Sequence, residues 1–402
     1  MAFPHFDDRS LLMTKTSSTS LALLAIGLGA FGIGTTEFAP MGLLPAIAEG
    51  IDVSIPAAGQ LVTAYAVGVM ISAPFMTLYL ARFGQKRALL ATMGIYILGN
   101  LLSALAPEYW SLMAARLITS LCQGAFFGFG AVAATSLVPP EKRASAVAIM
   151  FMGTSIANIG GVPAATWLGD AVGWRAAFAG TVVLGLIALG ALALALPHGE
   201  PGQRPDVKRE LSTLIRPQML ATMASTILFA GGFFTVYTYV APILQTMAGA
   251  SSAFVTVMLV LIGIGLTLGN WLGGRLADWS LDGGAGVAML ALALTSLMIP
   301  LAVTTQVGTV IGFVAWAAAA FACVPALQMR AMQAAEDAPT LAASMNIAAF
   351  NLGNAVGAGV GGLAIGAGWG YGAVPVAGAV LAFLGLAVIA GMHRARMPLA
   401  EQ

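Results

Sequence analysis

Apolar stretches of bilayer-crossing length recur twelve times along this chain, at about 20–46, 57–80, 88–106, 109–136, 144–168, 174–196, 218–246, 252–277, 286–304, 307–334, 340–366 and 371–392. A hydrocarbon core is crossed by about 20 apolar residues in a helix. No water is present there to satisfy exposed amides, so each stretch is expected to be helical. Of 402 residues, 59% are hydrophobic and 8% charged, against roughly half and a quarter in a soluble domain. A secreted or cytosolic enzyme is excluded, as is any large soluble domain. Seventeen Lys and Arg against sixteen Asp and Glu leave no basic excess for a nucleic-acid surface. Cys122 and Cys323 sit inside apolar runs, and His5, His198 and His393 fall in expected tails or loops. That pattern offers no metal site, no cofactor and no intramembrane histidine relay.

Positive charge sets the expected orientation, because Lys and Arg near span ends stay on the cytoplasmic side. With both termini cytoplasmic, fifteen of the seventeen fall in inner segments or at inner span ends; Arg175 lies in an outer loop and Arg116 within a span. Residues 1–19 contain Asp7 and Asp8 and lack a signal-peptide pattern, so they read as a cytoplasmic tail, within which Met13 offers a second start. Residues 197–217 mix Pro, Gly and charge as a cytoplasmic linker does. They divide the chain into a six-helix bundle at 20–196 and another at 218–392, with a tail at 393–402. The halves echo each other: Thr36-Glu37-Phe38-Ala39-Pro40 parallels Thr238-Tyr239-Val240-Ala241-Pro242, 202 residues later. A duplicated unit of this kind places a solute site near the midplane between its halves. The short outer loops offer nothing to an extracellular partner, and a monomer is expected.

Polarity also has a period of three spans. The third, sixth, ninth and twelfth hold one amide, Asn100, and no carboxylate; the others hold Glu37, Gln60, Gln123, Asn158, Gln245, Asn270, Gln328, Gln333, Asn346, Asn351 and Asn354. Polar groups in lipid are costly, so the bland spans should face lipid and the rest a shared interior. Glu37 is the only carboxylate well inside a span and Arg116 the only cation. At 1.5 Å rise per residue they lie roughly 13 and 10 Å from the outer ends of their spans, in one layer. Desolvation favours a neutral carboxyl and an approaching guanidinium favours an ionised one. The pair could therefore couple proton uptake to conformation, or simply fix helix packing as a permanent ion pair. Tyr65, Gln123, Asn158, Tyr237, Tyr239, Trp316 and Asn351 are expected cavity liners, a mixed aromatic and amide set suited to a neutral or amphipathic organic solute. Gly265, Gly269 and Gly273, and Gly353, Gly357 and Gly361, form rows that let helices approach closely. No Lys follows a Gly, so a Walker A phosphate loop is absent and ATP is not the expected fuel.

Arg82-Phe83-Gly84-Gln85-Lys86-Arg87 resembles the cytoplasmic signature of the major facilitator superfamily, a Gly, three residues, then Asp-Arg-x-Gly-Arg-Arg. Here Thr77 replaces the Gly, Ala81 the Asp and Gln85 an Arg, while Gly274-Arg275-Leu276-Ala277-Asp278 keeps the other half of the pattern. The resemblance implies that Arg82, Gly84, Gly274 and Asp278 gate the inner side. Further matches are similar to the twelve-span drug:proton antiporters, in particular their sugar-efflux and chloramphenicol-resistance-like branch. They are Thr35-Thr36-Glu37-Phe38 with Pro40 and Gly42; Arg116; Gly153, Asn158 and Gly160-Gly161-Val162-Pro163; and Gly173-Trp174-Arg175 with Phe178.

The resemblance implies a non-enzymatic secondary transporter of a bacterial-type inner membrane, exporting a drug, sugar or related metabolite against protons by alternating access. A passive facilitator or importer is the rival reading, and a receptor or integral enzyme a more remote one.

Overall fold

The computed structural model describes residues 8–197 and 206–396. Residues 1–7 and 397–402 of the expected tails, the first part of the linker, His5 and His198 lie outside them. Among the described residues twelve helices are long and apolar enough to cross a membrane: Thr19–Gly50, Ala57–Ala81, Gln85–Leu105, Tyr109–Ser136, Pro140–Val172, Trp174–Ala195, Pro217–Tyr237, Ala253–Trp279, Leu281–Ala302, Gln306–Ala334, Pro339–Gly366 and Ala373–Met392. They are called spans 1 to 12 below. Thr19 and Met392 mark one face of the molecule, the terminal face; the opposite one is the far face. The helix of span 1 begins at Asp8, so the second half of the expected tail is helical.

Local chemistry explains where several spans begin and bend. Ser251, Ser280 and Thr305 cap spans 8, 9 and 10, their side-chain oxygens accepting from Phe254 N at 3.2 Å, Gly283 N at 3.1 Å and Gly308 N at 3.0 Å. Such caps satisfy amides that a helix start leaves without a partner. Span 4 turns at Leu121 and Cys122 between helices Tyr109–Ser120 and Gln123–Ser136. Span 5 carries a π-helical turn at Ala157–Gly161, where Val162 N reaches back to Ala157 O. Pro163 follows directly and supplies no N–H, which disfavours the regular ladder there. Span 7 breaks at Thr238 and Tyr239 before a short helix, Val240–Met247.

Spans 1 to 6 form one bundle and spans 7 to 12 the other. Span 1 packs on spans 5 and 6, and span 3 on spans 4 and 6; span 7 packs on spans 11 and 12, and span 9 on spans 10 and 12. Between bundles, span 2 and span 4 meet span 11, while span 8 and span 10 meet span 5. A shift of six spans interchanges those contacts, which is the symmetry the Thr36 and Thr238 echo implies. Spans 3, 6, 9 and 12 present exposed apolar rows such as Leu98 and Leu105, Leu186 and Leu194, Leu290 and Leu294, and Val380 and Leu384. These are the spans in which polar residues are scarce.

The glycine rows are close crossings. A Cβ on Gly265, Gly269 or Gly273 would come within 2.6 Å of a span 10 carbonyl oxygen, and one on Gly357 within 2.4 Å of Gly231 O. Gly153 is tighter still, at 2.0 Å from Gly27 O, and holds span 5 against span 1.

Candidate transport site and its gates

A proline creates the seat for the intramembrane cation. Pro40 has no N–H to offer the carbonyl four residues back, so Thr36 O is left without its ladder partner. Arg116 Nη1 donates to that oxygen at 3.1 Å. The guanidinium lies 4.2 Å from the centroid of the Tyr65 ring, a favourable cation–π contact in a dry site. Thr36 Oγ1 donates to Asn100 Oδ1 at 2.7 Å, which ties span 1 to span 3, and Asn100 is oriented by its own Nδ2 donating to Tyr96 O at 2.9 Å.

Glu37 is 9% exposed, and its Oε2 accepts from Gln123 Nε2 at 3.0 Å. No ion pair joins it to Arg116 among the described residues. A permanent pair as a packing device is thus not what this conformation holds. The turn between the two helices of span 4 places Gln123 at a helix start, aimed at span 1. Arg116 Nε and Nη2 and the Tyr65 hydroxyl are buried without a hydrogen-bond partner among the described residues. Donors left unmade in this way are costly, and they leave Arg116 able to take a further acceptor.

Glu37 and Gln123 open on a central cavity of about 50 Å³, bounded by spans 1, 4, 5, 7, 10 and 11. Among the described residues Glu37 is the one carboxyl group of its lining. Phe38, Phe127, Phe151, Phe229, Phe321 and Phe350 supply aromatic walls, and Asn158 stands at the π-helical turn of span 5. Opposite Glu37 lies a polar chain: Thr226 Oγ1 donates to Asn346 Oδ1 at 2.6 Å, Asn346 Nδ2 to Gln328 Oε1 at 2.7 Å, and Gln328 Nε2 to Ala343 O at 3.1 Å. Sequence reasoning marked Gln328 and Asn346 only as interior polar residues and left them out of the site. Both lie towards the terminal ends of spans 10 and 11, six residues from Ala334 and seven from Pro339.

A second, larger space of about 620 Å³ lies towards the far face, bounded by spans 1, 2, 7 and 11, with Tyr237 and Asn351 in its wall. Tyr237 also donates to Asn158 Oδ1 at 3.3 Å, so it stands between the two spaces. Three expected liners belong to neither. Tyr65 is under Arg116; Trp316 is fully buried, its ring stacked 5.0 Å from that of Phe233; Tyr239 donates to Ala358 O at 2.9 Å and packs against Gly361. Each is turned towards a neighbouring helix, because in a bundle that is apolar all round, residue type does not reveal which face looks at the cavity.

The expected gate residues divide in the same way. Asp278, at the terminal end of span 8, accepts from Ala144 N at 2.8 Å, Ser145 N at 3.1 Å and the Ser145 hydroxyl. A carboxylate on a helix start is favoured by the free amides and by the helix dipole. Gly274 allows the crossing, since its Cβ would lie 2.9 Å from Ser145 Cα. On the symmetry-related seam, where Ala81 stands in place of the acid, Thr77 Oγ1 donates to Ser344 Oγ at 2.7 Å and Ser344 Oγ to Ala73 O at 3.1 Å. Arg82 does not cross to the other bundle in this conformation. Its guanidinium stacks 3.9 Å from the Tyr79 ring of its own span. Gly84 makes the turn into span 3 at φ 81, a conformation that favours glycine.

This arrangement agrees with the comparisons. Residues 26–348 match the family model for the Major Facilitator Superfamily. The chain belongs to that superfamily. It is 56% identical over 367 residues to the inner membrane transport protein YdhP of Escherichia coli K12, covering 91% of this chain and 94% of that one. It is 31% identical over 353 residues to a chloramphenicol resistance protein of Streptomyces lividans, covering 84% and 86%. The fold matches the crystal structure of the Escherichia coli fucose:proton symporter FucP with a TM-score of 0.72 at 16% identity, over 92% of this chain and 97% of the other. The protein is therefore a multi-pass membrane transporter and not an enzyme.

Proposed function

We propose that the protein is a proton-coupled exporter of a small organic solute, a drug, sugar or related metabolite, working by alternating access in a bacterial-type inner membrane. Both termini face the cytoplasm in this reading, as the distribution of Lys and Arg requires. The chain works as a monomer of two six-helix bundles joined by residues 197–217, with no nucleic-acid partner.

One observation carries the reading. A lone carboxyl group, Glu37, faces the cavity between the bundles and is held by a neutral amide rather than by Arg116. Such a group gains and loses a proton with changes in its solvation and in its distance from a cation. Opening to the outside hydrates Glu37 and admits a proton. Closure brings the carboxyl under the influence of Arg116, whose spare donors reward ionisation, and opening to the cytoplasm releases the proton as solute binds. The two relatives give the reading context: one is named for resistance to a drug, and FucP, by its title, moves protons with its sugar.

Chloramphenicol is the probe for the test, in proteoliposomes loaded with a pH-reporting dye. Chloramphenicol-dependent proton flux is expected from the native chain and none from Glu37→Gln, which keeps the hydrogen-bonding shape of the side chain. Gradient-driven accumulation that persists in Glu37→Gln rejects the coupling role.

A further inference from the structure

The two seams between the bundles are unequal along their length. The seam of spans 5 and 8 is held from the terminal side to its middle: Asp278 holds the start of span 5, Asn270 Nδ2 donates to Ser155 Oγ at 2.7 Å, and a Cβ on Gly263 would lie 2.6 Å from Ile159. The seam of spans 2 and 11 is closed on the terminal side by Thr77 and Ser344, whose hydroxyl also donates to Ala73 O at 3.1 Å. Beyond that point the helices part, and the 620 Å³ cleft lies between them.

The cleft wall runs without interruption into surface that faces lipid. Val67, at its edge, is 43% exposed; Ile71 and Phe75, one and two turns along the same face of span 2, are 57% and 68% exposed. Residues four apart share a helix face. Leu352 of span 11 lines the cleft, and Val356 continues its exposed row. Among the described residues none that lines the cleft is charged, and Met41, Leu44, Val62, Val67, Met70 and Leu352 give it an apolar wall that hydrocarbon can fill. Gly59 sits in the wall with nothing within 4 Å of where a Cβ would project.

We propose that the cleft between spans 2 and 11 is a lateral portal, through which transported solutes pass between the central cavity and the far-face leaflet of the bilayer. The inner end of the portal is the partition formed by Tyr237 and its hydrogen bond to Asn158, together with the packing of Phe234 on Phe350, ring centroids 5.4 Å apart. Solutes that dissolve in membranes are thereby favoured over strongly hydrophilic ones. The inference rests on the transporter function of the superfamily and is independent of proton coupling through Glu37.

The test uses the full chain in phosphatidylethanolamine and phosphatidylglycerol vesicles, with bimane attached at Leu44→Cys or Asn354→Cys, both deep in the cleft wall. Cys122 and Cys323 are fully buried. Phospholipid bearing a nitroxide on its acyl chain is the quencher. Ile71→Cys, on the lipid face, and Glu108→Cys, in a loop, set the upper and lower limits. Quenching at either cleft position at least twice that at Glu108→Cys is expected, and it should fall about twofold when Gly59→Trp fills the gap. Quenching no greater than at Glu108→Cys at both positions overturns the portal. Quenching that Gly59→Trp leaves unchanged overturns the route between spans 2 and 11. Glu37→Gln should leave both readings unaltered, which separates a failed portal from failed coupling.

Discussion

Arg116 donates to the carbonyl oxygen of Thr36 at 3.1 Å, and it can do so because residue 40 is a proline. The helix break that a proline threatens is answered here by a guanidinium, which converts a local defect into a seat for a buried cation in the first bundle.

Pro40→Ala should dislodge that seat. The restored N–H of residue 40 competes for Thr36 O, and Arg116 loses its hydrogen bond to span 1. The helix itself gains, since a proline inside a helix costs about 3 kcal/mol. An unchanged or raised melting temperature together with proton-coupled transport reduced at least fivefold is expected. Differential scanning fluorimetry and vesicle flux on the same preparation check it.

Glu37 and Gln123 should act as a unit. Side chains that share a hydrogen bond show coupling of about 0.5–3 kcal/mol in double-mutant cycles. Gln123→Ala and Glu37→Gln should each impair proton-coupled flux, and the double variant should be little worse than the poorer single one. Additive losses would separate the two residues functionally.

Removing the charge at Asp278 should loosen the terminal face. A carboxylate at a helix start contributes about 1 kcal/mol, so Asp278→Asn should shift the balance of open and closed forms roughly fivefold. The readout is maleimide labelling of Leu327→Cys, which lines the central cavity, from the terminal side.

The linker should respond to acid. Asp337 forms ion pairs with Arg216 at 2.9 Å and Arg209 at 3.5 Å, and the hydrogen bond from Arg216, then the charge of Arg209, hold its carboxyl below the ordinary Asp value. A depressed carboxyl contributes stability that is present above the unfolded value and lost as pH falls through the folded one. The helix Val207–Leu214 should therefore become more susceptible to an acid-active protease as pH drops below about the Asp reference of 3.9. High salt and Asp337→Asn should mimic the effect at neutral pH.

Close crossings should tolerate no added methyl. Gly153→Ala would place a Cβ 2.0 Å from Gly27 O; overpacking of this kind typically costs 1–3 kcal/mol. A lower melting temperature is expected, whereas Gly160→Ala, with nothing within 4 Å, should melt as the native chain does.

The twelve spans were legible because length and apolarity alone mark a helix in hydrocarbon. The scarcity of polar residues in spans 3, 6, 9 and 12 goes with exposed apolar rows there, but span 2, which carries Gln60, exposes Ile71, Phe75 and Tyr79 as well. Glu37, Gln123 and Asn158 stood out as polar groups in an expensive place, and all three reach the central cavity. Rotation of each helix about its axis was not legible. Trp316 and Tyr65 have the chemistry of a binding wall yet turn towards neighbouring helices, while Gln328 and Asn346 build the wall opposite Glu37. The loss of the acid at Ala81 is visible in the sequence, but the hydroxyl contact on that seam, Thr77 on Ser344, depends on two side chains 267 residues apart and has no local signature.

The charged clasp on one seam and the hydroxyl contact on the other hold the two sides of the terminal face unequally. If the two bundles rock apart there, the side where Thr77 only touches Ser344 should part before the side where Asp278 holds the start of span 5. A substitution that stiffened the weaker side would slow every passage through the protein, whichever solute it carried and whichever way it was bound.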